Sequence, residues 1–379
     1  MRVLLTGGGT SGHVNPALAI ADIIKANDPS AEFAYIGTEK GIEKRLVEKE
    51  GIPFYSIKIQ GIRRSLSPRN IKAAYLVLTA PAKAKRIIEK FKPDVVIGTG
   101  GYVSWAPLRA AADMGIPTVI HESNSVAGLA VRKLEDKVDL ILTNFKETSS
   151  SLKKSSKIVK VGNPIRNSFS DIDKYEARKK LGISDDVKFV ILSFGGSLGA
   201  PKINEAAIEI MRNFATKHDD VMHFHSGGKN YYKHAMQMFA GYSLEKNERL
   251  NIKEYIYDMP LYMAAADICI CRAGAMTLTE LAMLNKPAIL IPSPNVTDNH
   301  QYKNAKALSD KGAAILIEER ELNARRLCEA VEAVYSDPSV ALKMSEAIKE
   351  FANPSVNSEI YCQISRLVKN RAKIKTKGK

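Results

Sequence analysis

The chain has 379 residues, of which 45% are hydrophobic and 26% charged, with a formal net charge of +15. That length suits two ordinary domains and supplies apolar residues for two cores. No apolar run approaches the roughly 18 residues that would span a bilayer, and Met1–Thr6 lacks the long apolar region and cleavage site of a signal peptide.

Runs rich in Val and Ile alternate with helical patterns, which predicts parallel sheets of βαβ units. In the first half the predicted strands are Val3–Thr6, Phe33–Ile36, Phe54–Ile59, Val95–Ile97, Thr118–His121, Leu140–Thr143 and Ile158–Val161. The turn Gly162-Asn163-Pro164-Ile165-Arg166 and the polar stretch Asn167–Asp173 then predict a hinge. Strands resume at Phe189–Ser193, Met222–His225, Ile252–Ile256, Ile268–Cys271, Ala288–Ile291 and Ala314–Ile317. Helices at Asn323–Tyr335, Ser339–Phe351 and Ser355–Asn370 close the chain. The expected organisation is a domain over 1–164, a second over 165–352, and a C-terminal helix with a basic, disordered tail over 353–379. Asp94–Gly101 and Asp267–Gly274 each lead through a helix to a Pro-initiated strand, so the halves look like variations on one plan. Two Rossmann-like domains facing across a cleft would bind ligands at the carboxyl ends of their strands.

The four cysteines, Cys269, Cys271, Cys328 and Cys362, lack zinc-site spacing and read as reduced thiols. The positive charge is localised. Between residues 51 and 100 ten Lys and Arg face two acids, and from Arg366 onward seven basic residues face none. Localised charge implies an anionic partner: a membrane surface, a nucleic acid or a phosphorylated substrate. No aromatic-rich basic stripe or known module favours nucleic acid. Residues 69–91 set Ile71, Tyr75, Leu76 and Leu78 between basic flanks, which suits an anionic leaflet. An ordinary domain helix with its apolar face inward, broken by Pro81, is the alternative.

Three glycine turns follow predicted strands: Gly7–Gly12, Gly98–Gly101 and Gly195–Gly199. Glycines admit close backbone approach, and a following helix offers free N–H groups to an anion. Each could also be a tight βα turn and nothing more. None is a phosphate loop closed by Lys-Ser/Thr. His13, at the mouth of the first turn, is the candidate general base, since its ordinary pKa near 6.5 suits proton abstraction. It could instead be structural or anion-binding. Glu122 is the second candidate base, or a capping carboxylate.

Thr6–His13 with Asn15–Ala19, His121–Gly128, Gly162–Arg166, Gly195–Ala200, Cys271–Glu280 and Asp298–Ala305 together resemble the MurG family of lipid-linked N-acetylglucosaminyltransferases. The likeness covers roughly residues 1–350. It implies a GT-B fold and inverting transfer of GlcNAc from UDP-GlcNAc to the 4-hydroxyl of MurNAc in undecaprenyl-diphospho-MurNAc-pentapeptide. That step serves peptidoglycan synthesis, and with it cell shape and division. The implied setting is peripheral, on the cytoplasmic face of the bacterial membrane, beside other cell-wall synthesis proteins. No metal or other cofactor is implied.

For the donor, the resemblance implies Thr10, Ser11, Gly12, Asn124, Arg166, Ser197, Ile256, Ala275, Met276, Thr277, Glu280, His300 and Gln301. Within that set Arg166 and Ser197 would meet the diphosphate, Ile256 the uracil, Glu280 the ribose, and His300 and Gln301 the sugar hydroxyls. For the acceptor diphosphate it implies Gly9, Gly12, Gly100, Gly101 and Tyr102. Arg272 is either a ligand contact or a salt bridge holding its loop. Ser11 stands where the family commonly has glycine, and His300 where it often has glutamine. A UDP-sugar epimerase, a UDP-sugar-binding protein and a transferase using another lipid acceptor are the competing readings.

Overall fold

The computed structural model describes every residue except 62–68, 154–156, 170–171, 297–298 and 378–379, and leaves aside the side chains of 69, 72 and 374–377. Arg63, Arg64, Asp298 and Lys379 thus lie outside the described residues, as do the side chains of Arg69, Lys72, Lys375 and Lys377.

Residues 1–167 and 354–379 form one unit, and Ser168–Asn353 the other. The first unit holds strands β1 (Arg2–Thr6), β2 (Glu32–Gly37), β3 (Phe54–Ser56), β4 (Val95–Gly98), β5 (Thr118–Glu122), β6 (Leu140–Thr143) and β7 (Ile158–Lys160). Its helices are α1 (Ser11–Asn27), α2 (Ile42–Lys49), α3 (Arg69–Phe91), α4 (Gly101–Asp113), α5 (Leu129–Leu134) and α6 (Lys146–Ser150). The sheet is parallel in the order β3-β2-β1-β4-β5-β6-β7. Val3, Leu4, Leu5, Val95, Val96 and Ile97 are fully buried. A central parallel strand is covered on both faces, which is why these runs are continuous and do not alternate.

The second unit begins with α7 (Lys174–Lys180) and carries strands β8 (Phe189–Phe194), β9 (Val221–Ser226), β10 (Leu250–Lys253), β11 (Ile268–Cys271), β12 (Ala288–Leu290) and β13 (Ile315–Leu316). Its further helices are α8 (Pro201–Asn213), α9 (Tyr232–Gly241), α10 (Met259–Ala265), α11 (Ala275–Met283), α12 (His300–Ser309), α13 (Ala324–Ser336) and α14 (Pro338–Ile348). The parallel sheet runs β10-β9-β8-β11-β12-β13. Its first five strands repeat the order of β3-β2-β1-β4-β5, so the shared plan visible in the sequence is a shared topology.

Several expectations need correction. β10 stops at Lys253, short of Ile256, because its ladder ends opposite Ser226, where β9 gives way to Gly227-Gly228. Pro81 does not interrupt α3. The C-terminal segment is neither separate nor irregular: α15 (Val356–Lys377) runs past Asn370 and packs on α1. Ile165 N donates to Asn357 Oδ1 at 3.0 Å, Asn357 Nδ2 donates to Ile165 O at 2.9 Å, and Arg371 pairs with Asp139 at 2.8 Å. These contacts return the last helix to the first unit.

Burial also sets an acid limit on stability. His121 in β5 and His225 in β9 are fully buried, and desolvation pulls each from 6.5 down to about 4. Below pH 6.5 the unfolded chain takes up protons that the folded chain refuses, so stability falls as pH drops toward 4. Each histidine should cost about 1.4 kcal/mol per pH unit in that window. Urea midpoints between pH 7 and 5 check this, and a flat profile would contradict it.

Candidate active site

The first unit's site forms where β1 and β4 end side by side, with Thr6 opposite Gly98. Thr99 N donates to Thr6 O at 3.0 Å, and Thr99 Oγ1 donates to the His13 carbonyl at 2.5 Å. The two glycine turns are thereby tied together. His13 Nδ1 lies 3.1 Å from the Gly8 carbonyl and 3.3 Å from Thr10 Oγ1. A carbonyl can only accept, so Nδ1 carries the hydrogen and Nε2 keeps its lone pair. The ring lies against Gly100: a Cβ there would stand 2.8 Å from Cδ2 and 3.3 Å from Nε2. Gly101 has φ +74° and is so close to the Gly8 carbonyl that a Cβ would sit 2.2 Å from it. Only glycine fits both requirements.

Burial lowers the pKa of His13 below its ordinary value, against the opposing pull of Glu122, the Gly8 carbonyl and Glu43. Those carboxylates favour the imidazolium that proton capture would create. Glu122, the second candidate base, is 4% exposed and fully engaged. Its Oε1 accepts from Asn124 N and Asn124 Nδ2, both at 3.0 Å, and its Oε2 from Gly128 N at 2.8 Å, at the head of α5. Three donors make it the frame of the 122–128 loop and an electrostatic neighbour of His13. The Asn124 amide is likewise turned toward Glu122.

Gly9, Thr10, Ser11, Gly12, Gly100, Gly101 and Tyr102 gather around the same two turns. Tyr102 leans over Gly9 and has its pKa raised by burial and by Glu43. The sequence reading missed what lies beneath. Glu43, in the first turn of α2, is fully buried. Its Oε2 accepts from Gly9 N at 3.3 Å, and its Oε1 from Thr38 N at 3.0 Å and from Thr38 Oγ1. From sequence alone it is an ordinary acid early in a polar helix.

Arg166 was expected at the donor diphosphate, and the structure engages it otherwise. Its Nε donates to Asp22 Oδ2 at 3.0 Å, and its two terminal nitrogens grip Glu50 at 2.9 and 2.8 Å. A bidentate pair plus a second carboxylate satisfies the guanidinium fork. Arg166→Ala should therefore lower the stability of the first unit by about 1–2 kcal/mol, leaving the affinity for a diphosphate donor within about twofold. Thermal unfolding and donor titrations check the two halves of that expectation.

In the second unit the expected donor residues cluster at three strand ends. Ser197 sits in the Gly195–Gly199 turn ahead of α8. Ala275, Met276 and Thr277 form the first turn of α11, whose free N–H groups can face an anion, and Glu280 follows one turn on. His300 and Gln301 open α12. Gln301 Oε1 accepts from Ser293 N at 2.9 Å, and Asn304 Nδ2 donates to the Ala273 carbonyl at 3.2 Å. α12 is thus anchored to the turn before α11. Ile256 is buried beyond β10. Arg272 takes the structural alternative: it pairs with Glu319 and donates to the Ile291 carbonyl at 3.1 Å. Among the described residues no group of three His, Cys, Asp or Glu side chains could hold a metal ion.

Residues 3–143 match the glycosyltransferase family 28 N-terminal domain, and residues 190–360 the glycosyltransferase family 28 C-terminal domain. A UDP-N-acetylglucosamine–N-acetylmuramyl-(pentapeptide) pyrophosphoryl-undecaprenol N-acetylglucosamine transferase of Acetivibrio thermocellus is 40% identical over 375 residues, 98% of this chain and 100% of the relative. A crystal structure of Acinetobacter baumannii MurG superposes with TM-score 0.66 at 28% identity, covering 96% of this chain and 99% of that one. A putative UDP-N-acetylglucosamine 2-epimerase from Listeria monocytogenes gives TM-score 0.67 at 14% identity, over 96% and 95%, a likeness of fold alone. The two parallel-sheet units are those of the GT-B fold.

Proposed function

This chain belongs to glycosyltransferase family 28, and from that premise we propose that it transfers GlcNAc from UDP-GlcNAc to MurNAc-pentapeptide carried on diphospho-undecaprenol. It is an N-acetylglucosaminyltransferase of peptidoglycan synthesis, with the donor and acceptor of its relatives. The observation that carries the mechanism is the His13 ring, whose Nδ1–H is held by the Gly8 carbonyl so that Nε2 is bare.

Nε2 takes the proton of the MurNAc 4-hydroxyl as its oxygen attacks the anomeric carbon of GlcNAc. The bond from that carbon to the UDP oxygen breaks, UDP leaves with the electron pair, and the configuration inverts. His13 emerges as imidazolium, favoured by Glu122 and Glu43. Charge developing on UDP is met by Ser197, the amides of its turn and the first turn of α11, which hold donors where negative charge grows. In this reading Ile256 receives the uracil, Glu280 the ribose, and His300, Gln301 and Asn124 the sugar, with no protein-bound metal. Gly9, Gly12, Gly100, Gly101 and Tyr102 receive the acceptor diphosphate.

The lipid side of the reaction falls to α3. Ala73, Ala80, Ala84 and Ile88 face the core, while Ile71, Tyr75 and Leu78 are 77%, 66% and 77% exposed. Their spacing puts them on one stripe of the helix, which continues into Lys85 and Arg86 and, a turn further, Glu89, paired with Lys85 at 3.9 Å. The inward-facing alternative does not describe that stripe. No helix among the described residues is long and apolar enough to cross a membrane. α3 is the proposed peripheral contact with an anionic leaflet, placing the enzyme on the cytoplasmic face where UDP-sugars are made. Tyr75→Ser with Leu78→Ser should cut sedimentation with anionic vesicles by about tenfold, and unchanged sedimentation would remove α3 from that role.

The activity is tested by following radiolabel from UDP-GlcNAc into a lipid-linked MurNAc-pentapeptide. Label in the lipid disaccharide supports the assignment. Donor binding without label in lipid would favour an epimerase or a binding protein.

A further inference from the structure

Beneath the Gly195–Gly199 turn lies a line of polar groups that no step above uses. Ser193 of β8 pairs opposite His225 of β9. Ser193, His223 and His225 are fully buried and Asn204 of α8 is 3% exposed. Ser193 Oγ lies 2.7 Å from His223 Nε2 and 2.7 Å from His225 Nδ1. His225 Nε2 lies 3.1 Å from Asn204 Oδ1, and Asn204 Nδ2 donates to the Gly227 carbonyl at 2.8 Å.

Counting hydrogens orders this line. The Asn204 amide is fixed by its donation to a carbonyl, so its Oδ1 faces His225 and can only accept. His225 Nε2 must then carry the hydrogen. Burial keeps the ring neutral near pH 7, so Nδ1 is bare and accepts from the Ser193 hydroxyl. The other tautomer would donate to the Ser193 carbonyl, 3.1 Å from Nδ1. It would also oppose the lone pairs of Nε2 and Oδ1 where water is excluded, which is the costlier arrangement. The Ser193 oxygen in turn accepts from His223 Nε2–H, and His223 Nδ1, which has no partner, is the bare nitrogen. Every donation runs one way, from His223 through Ser193, His225 and Asn204 to the Gly227 carbonyl.

Gly227 begins the turn on which the Ser197 turn rests. Lys229 N donates to Ser197 O and Asn230 N to Leu198 O, both at 3.1 Å. Gly199 packs so closely that a Cβ there would lie 2.2 Å from the Gly227 carbonyl. We infer that the His223–Ser193–His225–Asn204 chain is a positioning device for donor binding, fixing the Gly227 carbonyl and through it the Ser197 turn that meets the diphosphate of UDP-GlcNAc. This rests on the donor role of that turn.

Two measurements test it. In wild-type protein labelled with ¹⁵N-histidine, ring ¹⁵N–¹H correlations at pH 7 should show Nε2–H tautomers for both His223 and His225. An Nδ1–H tautomer at His225 breaks the chain and overturns the inference. Ser193→Ala, or Asn204→Ala if the first does not fold, should raise the KM for UDP-GlcNAc by about fivefold to tenfold. kcat should stay within about twofold and the KM for the lipid acceptor should not move. A merely structural role would lower the folded fraction without splitting KM from kcat. Ser197→Ala separates the two readings. If it leaves the donor KM unchanged, the donor role of the turn fails. If it raises the KM and the chain variants do not, the positioning inference fails.

Discussion

Replacing His13 with alanine should lower kcat by about 10²–10⁴-fold, the usual worth of a positioned general base, while leaving UDP-GlcNAc affinity within about twofold. The prediction follows from the hydrogen on Nδ1. Because the Gly8 carbonyl holds it, the ring presents Nε2 in one tautomer and one orientation beside Gly100. Glu122 is turned to its own loop, its oxygens accepting from Asn124 and Gly128. The pH dependence has a definite sign. Burial lowers the pKa of His13, so the acid limb of kcat/KM should fall below 6.5, where free histidine would put it. Single-turnover transfer and calorimetric donor titration, run side by side, decide the matter. An alanine variant that keeps more than about a tenth of wild-type turnover would hand the proton to another group. One that loses donor binding in parallel would make His13 a ligand of the sugar nucleotide.

The strands were legible because parallel strands buried on both faces must be apolar throughout. Val3–Thr6, Thr118–His121 and Ile268–Cys271 could hardly be anything else between glycine turns. Edge strands were less so. Phe54–Ile59 and Ile252–Ile256 were drawn too long, since their ladders end at β3 Ser56 and β10 Lys253, where the neighbouring strands give out. Turn glycines announced the site, and His13 stood out as the histidine beside the first of them. The partners of charged side chains were less legible, because the fold sets them. Arg166 beside Gly-Asn-Pro looked like an anion ligand, yet Asp22 and Glu50, 144 and 116 residues distant, claim it. Glu122 in a His-Glu-Ser-Asn run looked catalytic, yet its own loop folds back over it. Glu43 carries no signal in the sequence, since no local pattern reveals that Thr38 and Gly9 point their donors at it.

Glu43→Gln should be the most damaging conservative change in the first unit, lowering kcat/KM by about 10–100-fold. All three groups facing the carboxylate are donors: Gly9 N–H, Thr38 N–H and the Thr38 hydroxyl. A glutamine offers one oxygen and one NH₂ in the same space, so at least one donor meets a donor in a site closed to water. Such a conflict costs about 1–3 kcal/mol, and the cheapest relief is movement of the Gly8–Gly9 turn. That turn carries the carbonyl that orients His13, and a displacement of about 1 Å at a reacting group can cost about 10²-fold in rate. Loss of the negative charge acts separately. Glu43 raises the His13 pKa, so its removal should push the acid limb of kcat/KM to still lower pH. A purely structural Glu43 would lower the yield of folded enzyme and leave the position of that limb where it was. The pH profile of the folded fraction therefore distinguishes a carboxylate that supports the base from one that only supports the fold.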